Sequence, residues 1–155
     1  MYDRFRLSLL SAALVAGLAT PAHAQTLEFS RTSGEFDEYR GTIAVSGYYT
    51  RIFDDEVIGD QLCFVPTEDS AALIPRKPDD VRMAWFCFDD LAGADRAFDI
   101  GNAPGEGYCS YTGTATVTVT DYRVFLPEAD GFDLARLLSV DRADPPKPSR
   151  CDETP

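Results

Sequence analysis

Four cysteines, Cys63, Cys87, Cys109 and Cys151, all lie downstream of a segment that reads as an export signal, and that combination constrains the fold most. Tyr2-Asp3-Arg4-Phe5-Arg6 is a short, net-basic start. Residues 7–20 are apolar apart from small polar residues, and Ala22-His23-Ala24 supplies a small-x-small site, which places cleavage before Gln25. The apolar stretch is shorter than the roughly 20 residues a membrane-spanning helix needs. No cysteine follows it directly to carry a lipid, so no stable membrane anchor is expected. The expected mature chain, from Gln25 onward, is periplasmic or extracellular.

An even number of cysteines in a small oxidised domain predicts two disulfides. The closest pair, Cys87 and Cys109, is spaced far too widely for a Cys-x-x-Cys redox or zinc motif. Three connectivities are open. Consecutive pairing would close loops worth roughly 3.5 and 4 kcal/mol in the chain-entropy model.

Cleavage also removes His23, the single histidine. Histidine-based general-base, nucleophile-activating and zinc chemistry would go with it. The two lysines, Lys77 and Lys147, sit in Pro-flanked segments that read as exposed turns, where an amine stays charged and is a poor base. Catalysis would therefore fall to carboxylates, and the expectation is a protein that is not an enzyme and carries no cofactor or metal.

The full chain has a formal net charge of −12, and losing Asp3, Arg4 and Arg6 makes it one unit more negative. Such a surface repels phosphate backbones, so nucleic acid is not expected as a partner, whereas cationic proteins are attracted.

The organisation reads as a leader over 1–24, a single β-rich globular domain over 25–143, and a Pro-rich tail over 144–155. By composition the tail forms no regular structure, unless Cys151 ties it back. Strands are predicted over 40–52, 60–65, 81–88 and 113–126. In the first, Gly47 permits a bend or bulge. In the last, Thr112, Thr114, Thr116, Thr118 and Thr120 alternate with Ala115, Val117 and Val119, the period of a strand with one buried face. The alternation slips at Asp121, which predicts a bulge there. Residues 91–100 read as a short helix capped by Asp89 or Asp90, and 133–140 as either a helix or a last strand. The fold class expected is mainly β, stapled by two disulfides: the element order over 36–142 resembles an OB-like barrel with one short helix, and a small β-sandwich is the alternative.

Candidate site residues are acidic and aromatic. Asp54, Asp55 and Glu56, with Asp89 and Asp90, offer an acidic surface for a cationic protein. Acidic loops can also bind calcium, but residues 89–95 lack the ligand spacing of an EF-hand. Tyr48, Tyr49 and Tyr111 are the aromatic candidates for stacking on an envelope glycan, and adjacent Tyr48 and Tyr49 must point to opposite faces of a strand. The functional expectation is thus a non-catalytic exported binding module. A carbohydrate-binding barrel and a carboxylate-only hydrolase are the alternatives, the latter needing two acids across a cleft.

Overall fold

A computed structural model describes residues 26–101, 103–127 and 131–151, with the side chain of Asp54 set aside. The leader and residues 152–155 of the tail lie outside the described residues. The backbone is organised by one long strand, β2 (Phe36–Asp55), which pairs antiparallel with three others. Its first part pairs with β1 (Leu27–Ser33), its last part with β3 (Gly59–Pro66), and most of its length with β5 (Tyr108–Phe125). β3 continues to β4 (Phe86–Phe88), β4 runs parallel to β6 (Asp133–Ala143), and β6 is antiparallel to β5. The bonding circuit β2–β3–β4–β6–β5–β2 therefore returns to its start. β1 and β7 (Lys147–Arg150) are added outside this ring, and all seven strands belong to one sheet.

The inward face of β2 carries Ile43, Val45 and Tyr49, and that of β5 carries Ala115, Val117 and Val119. Asp121 adopts a left-handed φ of 47°, and β5 shifts register against β6 between Thr120 and Arg123. This bulge resets the alternation so that Tyr122 and Val124 also point inward. Gly47 is a point of close approach, since a Cβ there would collide with the Val65 carbonyl oxygen and lie against Pro66. Phe64, Phe86 and Phe88 fill the interior with Tyr49 and Tyr122. Helix α2 (Leu91–Ala97) covers it, with the Phe98 ring just beyond the helix packed at a tilt against Tyr49 and Phe88. Asp90 is the residue that caps α2, accepting the Gly93 N–H at 2.9 Å.

Several expectations need correction. Only residues 86–88 of the predicted 81–88 strand pair. Val81 and Met83 are 94% and 69% exposed, so they add nothing to the core. Among the described residues there are two short helices rather than one, because α1 (Glu68–Ala71) follows β3. Of the two readings of residues 133–140, the strand is the one that holds, because inward-facing Asp133 and Ala135 are two apart and pair beside β4. In the tail, the condition that Cys151 ties it back is met, and residues 147–150 form β7, which tolerates Pro148 because it is an edge strand.

The disulfides are Cys63–Cys87 and Cys109–Cys151. The first joins residues directly opposed on β3 and β4, and the second holds the tail against β5. Two disulfides are compatible with export, and among the described residues no helix is long and apolar enough to cross a membrane.

Two outcomes follow from this architecture. Gly47→Ala should destabilise the protein by about 1–3 kcal/mol in denaturant melts, through the clash with β3. Non-reducing peptide mapping should recover the two linked pairs. The double variant Cys109→Ser/Cys151→Ser should cost about 2–4 kcal/mol and lose amide protection over 147–150.

Candidate functional site

The acidic residues fall into two groups with different surroundings. At one end of the ring, Arg51 on β2 is only 3% exposed. Its Nε donates to Asp95 of α2 at 2.8 Å, its outer nitrogen lies 3.9 Å from Asp60 of β3, and its guanidinium sits 4.0 Å over the Phe53 ring. A further N–H bonds the Ile52 carbonyl. Arg51 thus draws the start of β3 and helix α2 together. Asp55 and Glu56 of the β2–β3 turn, and Asp90 and Asp99 on either side of α2, are exposed. Asp55 accepts the N–H groups of Val57 and Ile58, which closes the β2–β3 turn and holds its carboxyl below the usual carboxylate range. No ion pair engages Asp55, Glu56 or Asp90 among the described residues. Arg96 is the basic residue of α2 and is exposed.

Asp89 does not belong to this acidic end. Its carboxylate accepts from Arg123 of β5 at 3.0 Å and lies 3.9 Å from Arg136 of β6. The structure therefore separates two neighbours that sequence reasoning grouped: Asp90 caps α2 and Asp89 serves an arginine groove.

The aromatic candidates divide in the same way. Tyr48 is 62% exposed, whereas Tyr49 is fully buried and its hydroxyl donates to the Asp144 carbonyl at 3.1 Å. Tyr49 is thus a core residue and offers nothing to a glycan. Tyr111 packs edge-on against Phe53 and is half-buried. The threonine row serves the sheet itself: Thr114 and Thr118 donate to Asp144 and Asp141, and Thr116 pairs with Ser46.

A cleft of about 420 Å3 has no counterpart in the sequence reading. It lies between the start of β2 and the irregular segment after α1, and is lined by Asp37, Tyr39, Lys77, Asp80 and Arg82. Its carboxylates already have partners. Asp37 accepts from Thr32 at 2.6 Å and pairs with Lys77 at 3.0 Å, which keeps it below the usual range. Asp80 pairs with Arg82 at 2.7 Å and with Arg76 at 3.5 Å, and the Arg82 hydrogen bonds bring its pKa down to about 2. Arg82 also donates to the Phe125 and Pro127 carbonyls, clasping the segment onto the end of β5.

Asp133 lies beside this cleft and also bonds Arg76. It is 3% exposed, and four donors meet its two oxygens: the Phe125 N–H, the Tyr122 hydroxyl and two N–H groups of Arg76. Burial pushes its carboxyl above the usual range, opposed by the Arg76 charge. Asp80 and Asp133 share Arg76 and so meet the proximity a carboxylate pair needs. Yet four donors fill the lone-pair positions of Asp133, which makes it a structural knot rather than an available acid. The sequence signal for this knot was faint, a single acid opening a strand that reads equally well as a helix.

No family model matches the chain, and the comparisons with curated proteins and with solved structures found no match.

The Asp80 pairing gives a pH prediction. Its depressed pKa contributes stability above the unfolded carboxylate pKa, and that contribution fades as pH falls from about 4 through the folded value of about 2. Asp80→Asn should therefore be less stable than the parent at pH 7 by on the order of 1 kcal/mol. The gap should shrink steadily in denaturation curves taken below about pH 4.

Proposed function

We propose that this chain is a non-catalytic, exported recognition module whose ring of strands is an OB-like barrel, and that its partner is a cationic protein met at the acidic end. The barrel reading is supported by the closed order β2–β3–β4–β6–β5, by the one parallel pair in it, β4 with β6, and by the helix placed between β4 and β5. Five-stranded Greek-key barrels of this kind use their surface loops for binding.

The observation that carries the functional reading is the burial of Arg51 between Asp60 and Asp95. It gathers the β2–β3 turn and α2 into one surface while keeping its own positive charge below that surface. Asp55, Glu56 and Asp90 then face solvent at the β2–β3 turn and the start of α2, in a chain of net charge −12. A fixed acidic patch of this kind steers a basic partner and selects against acidic ones. The non-catalytic part is supported by the commitment of Asp37, Asp80 and Asp133 to fixed partners. A basic cell-wall hydrolase, inhibited by this module, is one concrete partner.

The test is calorimetric titration of such a hydrolase with the chain from Gln25 onward. Affinity should fall at least tenfold between about 20 and about 300 mM salt. Asp55→Lys/Glu56→Lys should weaken low-salt binding by roughly tenfold, and Glu28→Lys, on β1, should leave it within twofold. Binding that ignores both salt and the double variant would overturn the reading.

A further inference from the structure

A second groove, of about 330 Å3, runs along the opposite charge logic. Four of its lining residues are arginines from four different strands: Arg31 on β1, Arg40 on β2, Arg123 on β5 and Arg136 on β6. In a chain with 14 basic residues against 26 acidic ones, such convergence is not what an evenly solvated surface produces. The groove forms where two ladders open. β2 and β5 lose register between Glu38 and Thr42, and β5 and β6 do so between Thr120 and Arg123, around the left-handed Asp121. The bulge that keeps Tyr122 in the core thus turns Asp121 outward and parts the strands that carry the arginines.

Three carboxylates also line the groove, and their geometry is informative. Glu38 accepts from Arg31 Nε at 2.6 Å, Asp89 accepts from one terminal N–H of Arg123 at 3.0 Å, and Asp121 lies 3.2 Å from Arg136. The Arg31 hydrogen bond, together with the charges of Arg31, Arg123 and Arg40, holds Glu38 below the usual carboxylate range, so these three guanidiniums act on one point. Each guanidinium offers five N–H donors, about twenty in all. Among the described residues the side-chain hydrogen bonds here use one donor of Arg31 and one of Arg123. Arg40 forms no ion pair among the described residues, and its side chain lines the groove. The acids therefore orient three arginines without saturating them, and the fourth is left over. Four guanidiniums against three carboxylates leave the groove net positive, while the negative field of the whole chain disfavours long polyanions.

We infer that this groove is a binding site for a small ligand bearing one oxyanion, a carboxylate or a phosphate monoester, with Arg40 as its principal contact and Arg123 and Arg136 as preorganised partners. Planar guanidinium forks match both oxyanions bidentately. Tyr39 and Ser30, which also line the groove, give the remainder of the ligand an aromatic surface and a hydroxyl to meet. The volume lies at the lower end of the roughly 300–1,000 Å3 of small-molecule sites, which suits a monosaccharide-sized ligand. This site is independent of the acidic end and stands or falls separately from it.

The experiment is an NMR titration of the arginine Nε–H signals of the folded chain with sodium glucuronate, glucose 6-phosphate and neutral glucose. Saturable shifts are expected at Arg40, Arg123 and Arg136 with at least one of the two anions, at a Kd below about 10 mM. Arg96 should stay still, and glucose should have no effect. The anion that binds more tightly identifies carboxylate or phosphate as the recognised group. Arg40→Ala should weaken binding at least tenfold, and Arg40→Lys, which keeps the charge but loses the fork, should fall between parent and alanine. An unchanged signal dispersion establishes that both variants are folded. Shifts that do not saturate, shifts equal at Arg96, or an Arg40→Ala affinity within twofold of the parent would each overturn the assignment.

Discussion

Everything in this molecule depends on the closing ladder between β2 and β5. β2 is 20 residues long and serves as the partner of three strands, so the ring closes through a single segment of chain. That closure buries Ile43, Val45, Val117 and Val119 in the interior and gives each strand of the circuit two bonded neighbours, with the link through β4 only three residues long. Free sheet edges are an aggregation liability, and β1 and β7 are the two strands that lie at the ends of the sheet, outside the circuit. The Cys109–Cys151 bridge pins the second of these, and Arg31 projects from the first.

Two arginine-centred knots then fix what the ladder leaves loose. Arg51 ties β2 to β3 and α2, while Arg76 ties the irregular segment after α1 to Asp133 and Asp80. Breaking a buried charge pair leaves an uncompensated charge, which costs far more than the pair contributes when intact. These knots also decide which acids are free. Asp60, Asp95, Asp80 and Asp133 are held by arginine, whereas the exposed Asp55, Glu56 and Asp90 form no ion pair among the described residues. The same economy of position splits Asp89 from Asp90, because successive residues at the end of β4 face different neighbours.

Much of the fold was legible wherever period-two alternation ran uninterrupted. The β5 pattern from Thr112 to Thr120 and its break at Asp121 translate directly into a half-buried strand and a left-handed bulge. Residues 81–85 were misleading because Val81 and Met83 are apolar yet exposed, and composition alone cannot report which surface an apolar side chain meets. β7 was illegible for the opposite reason. A proline-bearing segment forms a strand only because β5 offers an edge and Cys109 a covalent anchor. The candidate surface was partly legible: Asp55, Glu56 and Asp90 are exposed as an acidic reading expects, whereas Tyr49 is in the core and the arginine groove left no local signature.

By itself the sequence determined the β-rich class, the number of disulfides, the acidic balance and the place of the bulge, since each follows from residue type and local spacing. Which cysteines pair, which of Tyr48 and Tyr49 faces inward, and which carboxylates keep their charge for solvent were decided only by the tertiary structure. The physical reason is that these are properties of contacts between segments distant in sequence. Arg51 meets Asp95, Arg76 meets Asp133, and Arg31, Arg40, Arg123 and Arg136 share one groove only after the strands have closed.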